Sequence, residues 1–214
     1  MTPVIADIDA FEMRLKSNFR WAMSEASDFL ERRGPVHLAL ANVTAKLKEL
    51  SIPYAVVGGM ALFAHGYERF TSDVDILVTH DGLKKIHQEL DGLGYLPPFA
   101  GSKHLRDTNT KVKIEFLTTG DFPGDGKPKP VAFPDPADNT VEIDDIQYLD
   151  LAQLINLKLA SGISAPHRLK DLADVQELAK TIGLTADFAP QLNPYVRDKF
   201  LELVNTPVDT HGQD

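Results

Sequence analysis

The stretch Val57-Gly58-Gly59-Met60-Ala61, followed by Arg69-Phe70-Thr71-Ser72-Asp73-Val74-Asp75-Ile76-Leu77-Val78, decides how this chain is read. It has a Gly-Gly turn at the mouth of a short helix, then acid, apolar, acid at the head of an apolar strand. Alternate strand residues share a face, so Asp73 and Asp75 point one way while Val74, Ile76 and Val78 point into a core. Two carboxylates held that close repel each other unless a cation lies between them. A hard, oxygen-liganded ion suits them, Mg²⁺ or Mn²⁺. Glycines at 58 and 59 allow a sharp turn and close approach of a ligand, and the N–H groups they expose can receive phosphate oxygens.

Working outward, residues 54–57 read as a short buried strand, 59–65 as a short helix ending on His65 as its cap, and 73–78 as a second strand. Upstream, apolar residues at helical spacing (Phe11, Leu15, Phe19, Phe29 and Leu30) predict one helix over residues 7–33, ended by Gly34-Pro35. A second helix follows over 36–50. Downstream, Asp81 is placed as the N-cap of a helix reaching residue 93. Residues 103–106 and 111–117 form a hairpin around Asp107-Thr108-Asn109-Thr110. Residues 120–139, dense in Gly, Pro and Asp, read as a long surface loop. A last short strand is expected at 141–143. Helices over 149–160 and 166–182 and a third ending near 204 complete the chain.

The fold class is therefore α+β: a small mixed sheet with N-terminal helices and a C-terminal helical bundle. The expected division is residues 1–50 as helices packed on the core, 51–146 as the core, 147–205 as the helical region and 206–214 as a disordered tail.

Glu115 is the expected third carboxylate, and with Asp73 and Asp75 the third expected metal ligand. In Lys111-Val112-Lys113-Ile114-Glu115-Phe116-Leu117, Ile114 and Phe116 turn inward and leave Glu115 outward with Lys113, so it joins the aspartates if this strand neighbours theirs. Its alternative is an ordinary ion pair with Lys113, and then Asp144 or Asp145 would be the next acid to test. Arg69 is placed either on a phosphate or holding a carboxylate, and Thr71 beside it in the nucleotide site. Lys158, alone in the apolar run Leu157-Lys158-Leu159-Ala160, must reach a polar partner and is expected in the cleft facing Asp73 and Asp75, as a triphosphate contact whose loss would cost the fold little. Arg168 and Lys170 add charge at the head of the next helix.

Composition limits the rest. With 214 residues, no cysteine and a formal net charge of −9, the chain has no disulfide or thiolate metal site and fits a cytoplasmic protein. No basic face for duplex DNA is expected. No apolar run is long enough to span a membrane, and the N-terminus does not read as a signal peptide. G-x-x-x-x-G-K-[ST], G-x-G-x-x-G and G-x-S-x-G are absent, and the histidines lack zinc-ligand spacing.

The pattern Val57-Gly58-Gly59 with Asp73-Val74-Asp75-Ile76 resembles the nucleotidyltransferase superfamily of DNA polymerase β. The run Gly59-x-Ala61, His65-Gly66, Arg69-x-Thr71-x-Asp73-x-Asp75 is similar to uncharacterised bacterial nucleotidyltransferase-like proteins and to abortive-infection toxin nucleotidyltransferases. Lys158 with Arg168-x-Lys170-Asp171-x-x-Asp174 resembles the C-terminal signatures of those groups. The resemblance implies that Gly58 and Gly59 grip NTP phosphates, that Asp73 and Asp75 bind metal, and that a third acid helps deprotonate a hydroxyl acceptor. That acid here is Glu rather than the commoner Asp. The acceptor stays open between an RNA end, a protein and a small molecule of antibiotic type. A toxin would bring an antitoxin partner, and a non-catalytic nucleotide-binding module is the third alternative.

Overall fold

The structure, a computed structural model, describes residues 10–205. The tail expected at 206–214 and the first residues of the helix expected from 7 lie outside the described residues. The N-terminal region holds two helices rather than one, α1 (Ala10–Ser17) and α2 (Phe19–Leu30). The break is Asn18, whose extended backbone and side chain, accepting from Trp21 N at 3.1 Å, make it a new N-cap. An Asn that satisfies a backbone donor competes with helix continuation, and apolar spacing alone does not register this. Gly34 at φ +92 turns the chain into α3 (Pro35–Glu49), with Pro35 at the helix start, where its missing N–H costs nothing.

The core follows as β1 (Tyr54–Val57), α4 (Gly58–Ala64), β2 (Asp73–Val78) and α5 (His80–Leu90). Thr79, not Asp81, caps α5: its hydroxyl accepts from Gly82 N at 3.0 Å, while Asp81 pairs with Lys84 on the surface. Then come β3 (Tyr95–Leu96), β4 (His104–Asp107), β5 (Lys113–Thr118), β6 (Thr140–Ile143) and β7 (Ile146–Leu149). β3 is too short to show alternation. β7 was not expected; it ends on Leu149, where a helix was expected to begin. Asp144 and Asp145 both take positive φ and form the turn that sends β7 back along β6.

The seven strands run in the order β3-β4-β5-β2-β1-β7-β6. β2 is parallel to β5 and β1 to β7; the other neighbours are antiparallel. One face of the central strands is mostly apolar: Val56, Val74, Ile76, Ile114 and Phe116 are fully buried. Each contributes about 1.5–3 kcal/mol through burial. The opposite face carries Asp73, Asp75, Lys113 and Glu115.

The C-terminal helices are α6 (Leu151–Ser164), capped by Asp150, then α7 (Leu169–Ile182) and α8 (Pro194–Asn205). Their buried residues share one core with the sheet. Residues 120–139 hold no helix or strand. The loop is closed at its base, where Gly120 N donates to Phe133 O at 2.9 Å and Phe133 N to Asp121 O at 2.8 Å. Gly124, at φ +75, lies so close to Ser161 and Ser164 of α6 that a Cβ would overlap them. The loop therefore leans on α6. No helix among the described residues is long and apolar enough to cross a membrane.

Candidate functional site

The site grows from strand register. In the parallel β2–β5 pair Asp73 lies opposite Lys113 and Asp75 opposite Glu115. Neighbouring strands are about 4.8 Å apart, so these four side chains form a charged square on one face. In the β1–β2 pair Val57 lies opposite Asp75, which sets Asp75 beside the strand-to-helix turn. Gly58 is left-handed there (φ +62), and a Cβ on it would overlap the Asp75 carboxylate. The first glycine thus makes room for the second aspartate. Gly59 serves a different neighbour, because its Cβ would come within 2.7 Å of Thr71 Cβ. Thr71 in turn donates its hydroxyl to Asp73 Oδ1 at 2.7 Å.

A cleft of about 500 Å³ covers this square. Its floor includes Gly58, Asp73, Asp75, Lys113 and Glu115. Leu154, Leu157, Lys158 and Ser161 of α6 line it with Arg168 and Asp171, and Phe122, Pro123, Gly124 and Phe133 of the loop complete it. The structure brings Gly58, Asp73, Asp75, Glu115 and Lys158 together. Gly59, Thr71 and Arg69 are not in the lining. Gly59 and Thr71 support the aspartates from behind, and Arg69 takes the second role open to it, holding a carboxylate. Its guanidinium makes a two-pronged pair with Asp174, Nε to Oδ1 at 2.7 Å and Nη2 to Oδ2 at 2.9 Å. Asp144 and Asp145 are also excluded, since they sit in the exposed β6–β7 turn, where Asp144 faces Arg32. His65 ends α4 as expected, its Nε2 at 2.8 Å from the Leu149 carbonyl.

Glu115 satisfies both readings at once. It sits beside Asp75, and it accepts from Lys113 Nζ at 2.6 Å. Among the described residues no three Asp, Glu or His side chains are gathered tightly enough to hold an ion together. The expected ready-made triad is thus two aspartates with a glutamate held by lysine. The charge imbalance is nonetheless large. The Asp75 carboxyl is pushed up to about 7, first by burial and then by the negative charges of Asp73 and Glu115. Lys113 and Lys158 offset this only in part. An all-oxygen, doubly acidic pair under this repulsion fits a hard divalent cation.

Lys158 is more constrained than its sequence context suggested. Its ammonium donates to Asp171 Oδ1 at 2.9 Å and Asp174 Oδ2 at 2.6 Å, and all three groups are buried. Arg168 Nε and the Ser161 hydroxyl each donate to Asp171 Oδ2 at 2.7 Å. Burial alone would raise the Asp171 carboxyl, but the Lys158 charge, the Ser161 and Lys158 hydrogen bonds and Arg168 hold it below the usual carboxylate range. Three cations (Arg69, Lys158, Arg168) meet two carboxylates, so the network carries one surplus positive charge beside an acidic floor. From sequence, Asp171 and Asp174 stand out only as part of the charged segment that opens α7. The missed signal is spacing: 171, 174, 175 and 178 fall on one helical stripe, and Val175 and Leu178 are fully buried.

Solved structures similar to this chain include ANT(2″)-Ia in complex with adenylyl-2″-tobramycin, at 12% identity and a TM-score of 0.47, covering 74% of this chain and 92% of that one. A candidate nucleotidyltransferase from H. pylori aligns at 17% identity and a TM-score of 0.39, covering 71% and 83%. No protein-family model matches the chain, and no curated protein matches it.

Proposed function

We propose that this chain is a nucleotidyltransferase that moves a nucleoside monophosphate from an NTP to a hydroxyl acceptor. The observation that carries the reading is the placement of Asp73 and Asp75 on one strand face, at the floor of a cleft, against a glycine that has no room for a side chain. Asp73 and Asp75 would hold Mg²⁺ or Mn²⁺, which when bound would polarise the phosphoryl oxygens and stabilise the charge that develops on them. Thr71 fixes Asp73 by its hydrogen bond. Gly58 lets the backbone approach the phosphates. The surplus positive charge around Lys158 and Arg168 offsets charge on the triphosphate and on the pyrophosphate that leaves. Glu115 takes the proton from the acceptor hydroxyl on the carboxylate oxygen that Lys113 does not hold. Phe122, Phe133 and Leu157 exclude water from the reacting atoms.

Two expected outcomes test these roles. Glu115→Gln retains metal–nucleotide affinity by calorimetry and loses transfer by a factor of about 10² or more. Full transfer by this variant would return Glu115 to a simple partner of Lys113. Gly58→Ala forces a side chain into left-handed backbone and into Asp75. Its unfolding free energy should fall by about 1–2 kcal/mol in a denaturant titration, and its metal–nucleotide affinity should fall with it. Wild-type affinity in Gly58→Ala would mean that the Asp75 carboxylate is not where the ligand binds.

A further inference from the structure

A second cleft, of about 360 Å³, adjoins the first at the β5 end of the sheet. Glu115, Leu117, Phe122 and Phe133 line both clefts, while Lys103 and Asp121 line the second and not the first. The two clefts differ in the cations they offer. The first holds the Lys113, Lys158 and Arg168 cations. The second has one cation, Lys103, and its ammonium is paired with Asp121 at 2.5 Å and also donates to Thr118 Oγ1 at 3.1 Å. Thr118 donates its own hydroxyl to the same Asp121 oxygen. By their lining side chains both clefts are net negative by one, so the contrast lies in the cations: three line the first cleft, and only the Asp121-bound Lys103 lines the second. Its walls are apolar rings from the 120–139 loop.

We propose that the second cleft binds the acceptor, and that the acceptor is a small hydroxyl-bearing molecule without phosphate, neutral or cationic. The inference rests on the nucleotidyl-transfer reading of the first cleft. A triphosphate belongs where the cations are. The acceptor must then reach the α-phosphorus from the side of Glu115, the one acid common to both clefts. A ring or carbon skeleton packs between Phe122 and Phe133, and hydroxyl or ammonium groups face Asp121. An RNA end would bring phosphates into a cleft whose one lysine is already paired with Asp121 and which has no arginine, which opposes binding. In the reaction the acceptor O–H proton passes to the Glu115 carboxylate. The acceptor oxygen forms a bond to the α-phosphorus as the bond from that phosphorus to the bridging oxygen breaks, and pyrophosphate leaves.

The test uses the full chain with Mg²⁺ and the four NTPs labelled at the α-phosphorus. A bacterial extract is split into RNA, protein and material below about 1 kDa, and each pool is offered as acceptor. Label is expected in the small-molecule pool. Gly126→Trp is expected to cut that transfer by about tenfold or more while leaving NTP affinity within about twofold. Gly126 lines the second cleft and not the first, and no atom lies within 4 Å of where its Cβ would stand. Its backbone is left-handed, so a thermal melt accompanies the variant, and if Gly126→Trp does not fold the pool that takes up label decides alone. Label on RNA or protein overturns the proposal. So does undiminished transfer by folded Gly126→Trp, or label in no pool. Calorimetry on wild type and Asp73→Asn is the separate readout for the first cleft: equal NTP affinity there would fail the nucleotidyl-transfer reading itself, whatever the second cleft does.

Discussion

Asp75→Asn is expected to lower nucleotidyl transfer by a factor of about 10³ while leaving the protein as stable as wild type or more so. The two effects have one cause. Asp75 is held among Asp73, Glu115 and surrounding protein, and its carboxyl is pushed up to about 7, chiefly by burial. A carboxyl whose folded value lies above its unfolded one destabilises the fold at neutral pH, because the unfolded chain ionises it more readily. The amide removes that cost, so a gain of about 1–2 kcal/mol is expected in a denaturant titration without metal. It also removes a negative charge that would hold the cation. Mg²⁺ with nucleotide should therefore raise the melting temperature of wild type and leave Asp75→Asn unmoved, by mass action on the folded state. Transfer at the wild-type rate by Asp75→Asn, or an equal melting shift in both proteins, would remove Asp75 from the site.

Lys158→Ala carries the largest expected effect on stability. From sequence, a lone lysine in an apolar helix looked like a phosphate contact whose loss the fold would tolerate. The structure places its ammonium between Asp171 and Asp174, both buried. Removing one partner of a buried ion pair commonly costs 3–5 kcal/mol. Here Arg69 still holds Asp174 and Arg168 still holds Asp171, so the lower end applies, about 3 kcal/mol, or roughly 6–12 °C in melting temperature. The pH dependence gives the sign. Asp171 is held below its ordinary value, so its contribution is full above the unfolded carboxylate range near about pH 4 and is lost as pH falls through the depressed value. The deficit of Lys158→Ala should accordingly be widest near neutral pH and narrow in acid, as Asp171 becomes protonated. A deficit under about 0.5 kcal/mol, or one constant with pH, would mean the network contributes nothing to the fold.

The core strands were legible because each carries its own pattern. Asp73–Ile76 and Lys113–Phe116 alternate polar and apolar, so the face of each of these residues followed from parity, and their being neighbours completed the charged square. The glycines were legible as a turn, but their neighbours were not. That Gly58 clears Asp75 and Gly59 clears Thr71 depends on register between β1 and β2 and on the return of the 65–72 segment. β7 was lost because Ile146-Gln147-Tyr148-Leu149 is short and runs straight into a helix, so periodicity cannot separate the two. The break at Asn18 was lost for the opposite reason, since a local cap interrupts a pattern that continues across it. Arg69, Lys158 and Asp174 are far apart in sequence, and no local spacing predicts that they meet. The second cleft is formed by a loop whose path is set by contacts with α6 rather than by any repeat of its own.

The most direct measurement is a crystal structure of the full chain with Mg²⁺ and a non-hydrolysable NTP. The account predicts a metal ion bound to the carboxylates of Asp73 and Asp75, the triphosphate running past Gly58 toward Lys158 and Arg168, and the second cleft beyond Glu115 left open. Nucleotide bound elsewhere, or bound in this cleft with no metal at Asp73 and Asp75, would contradict it.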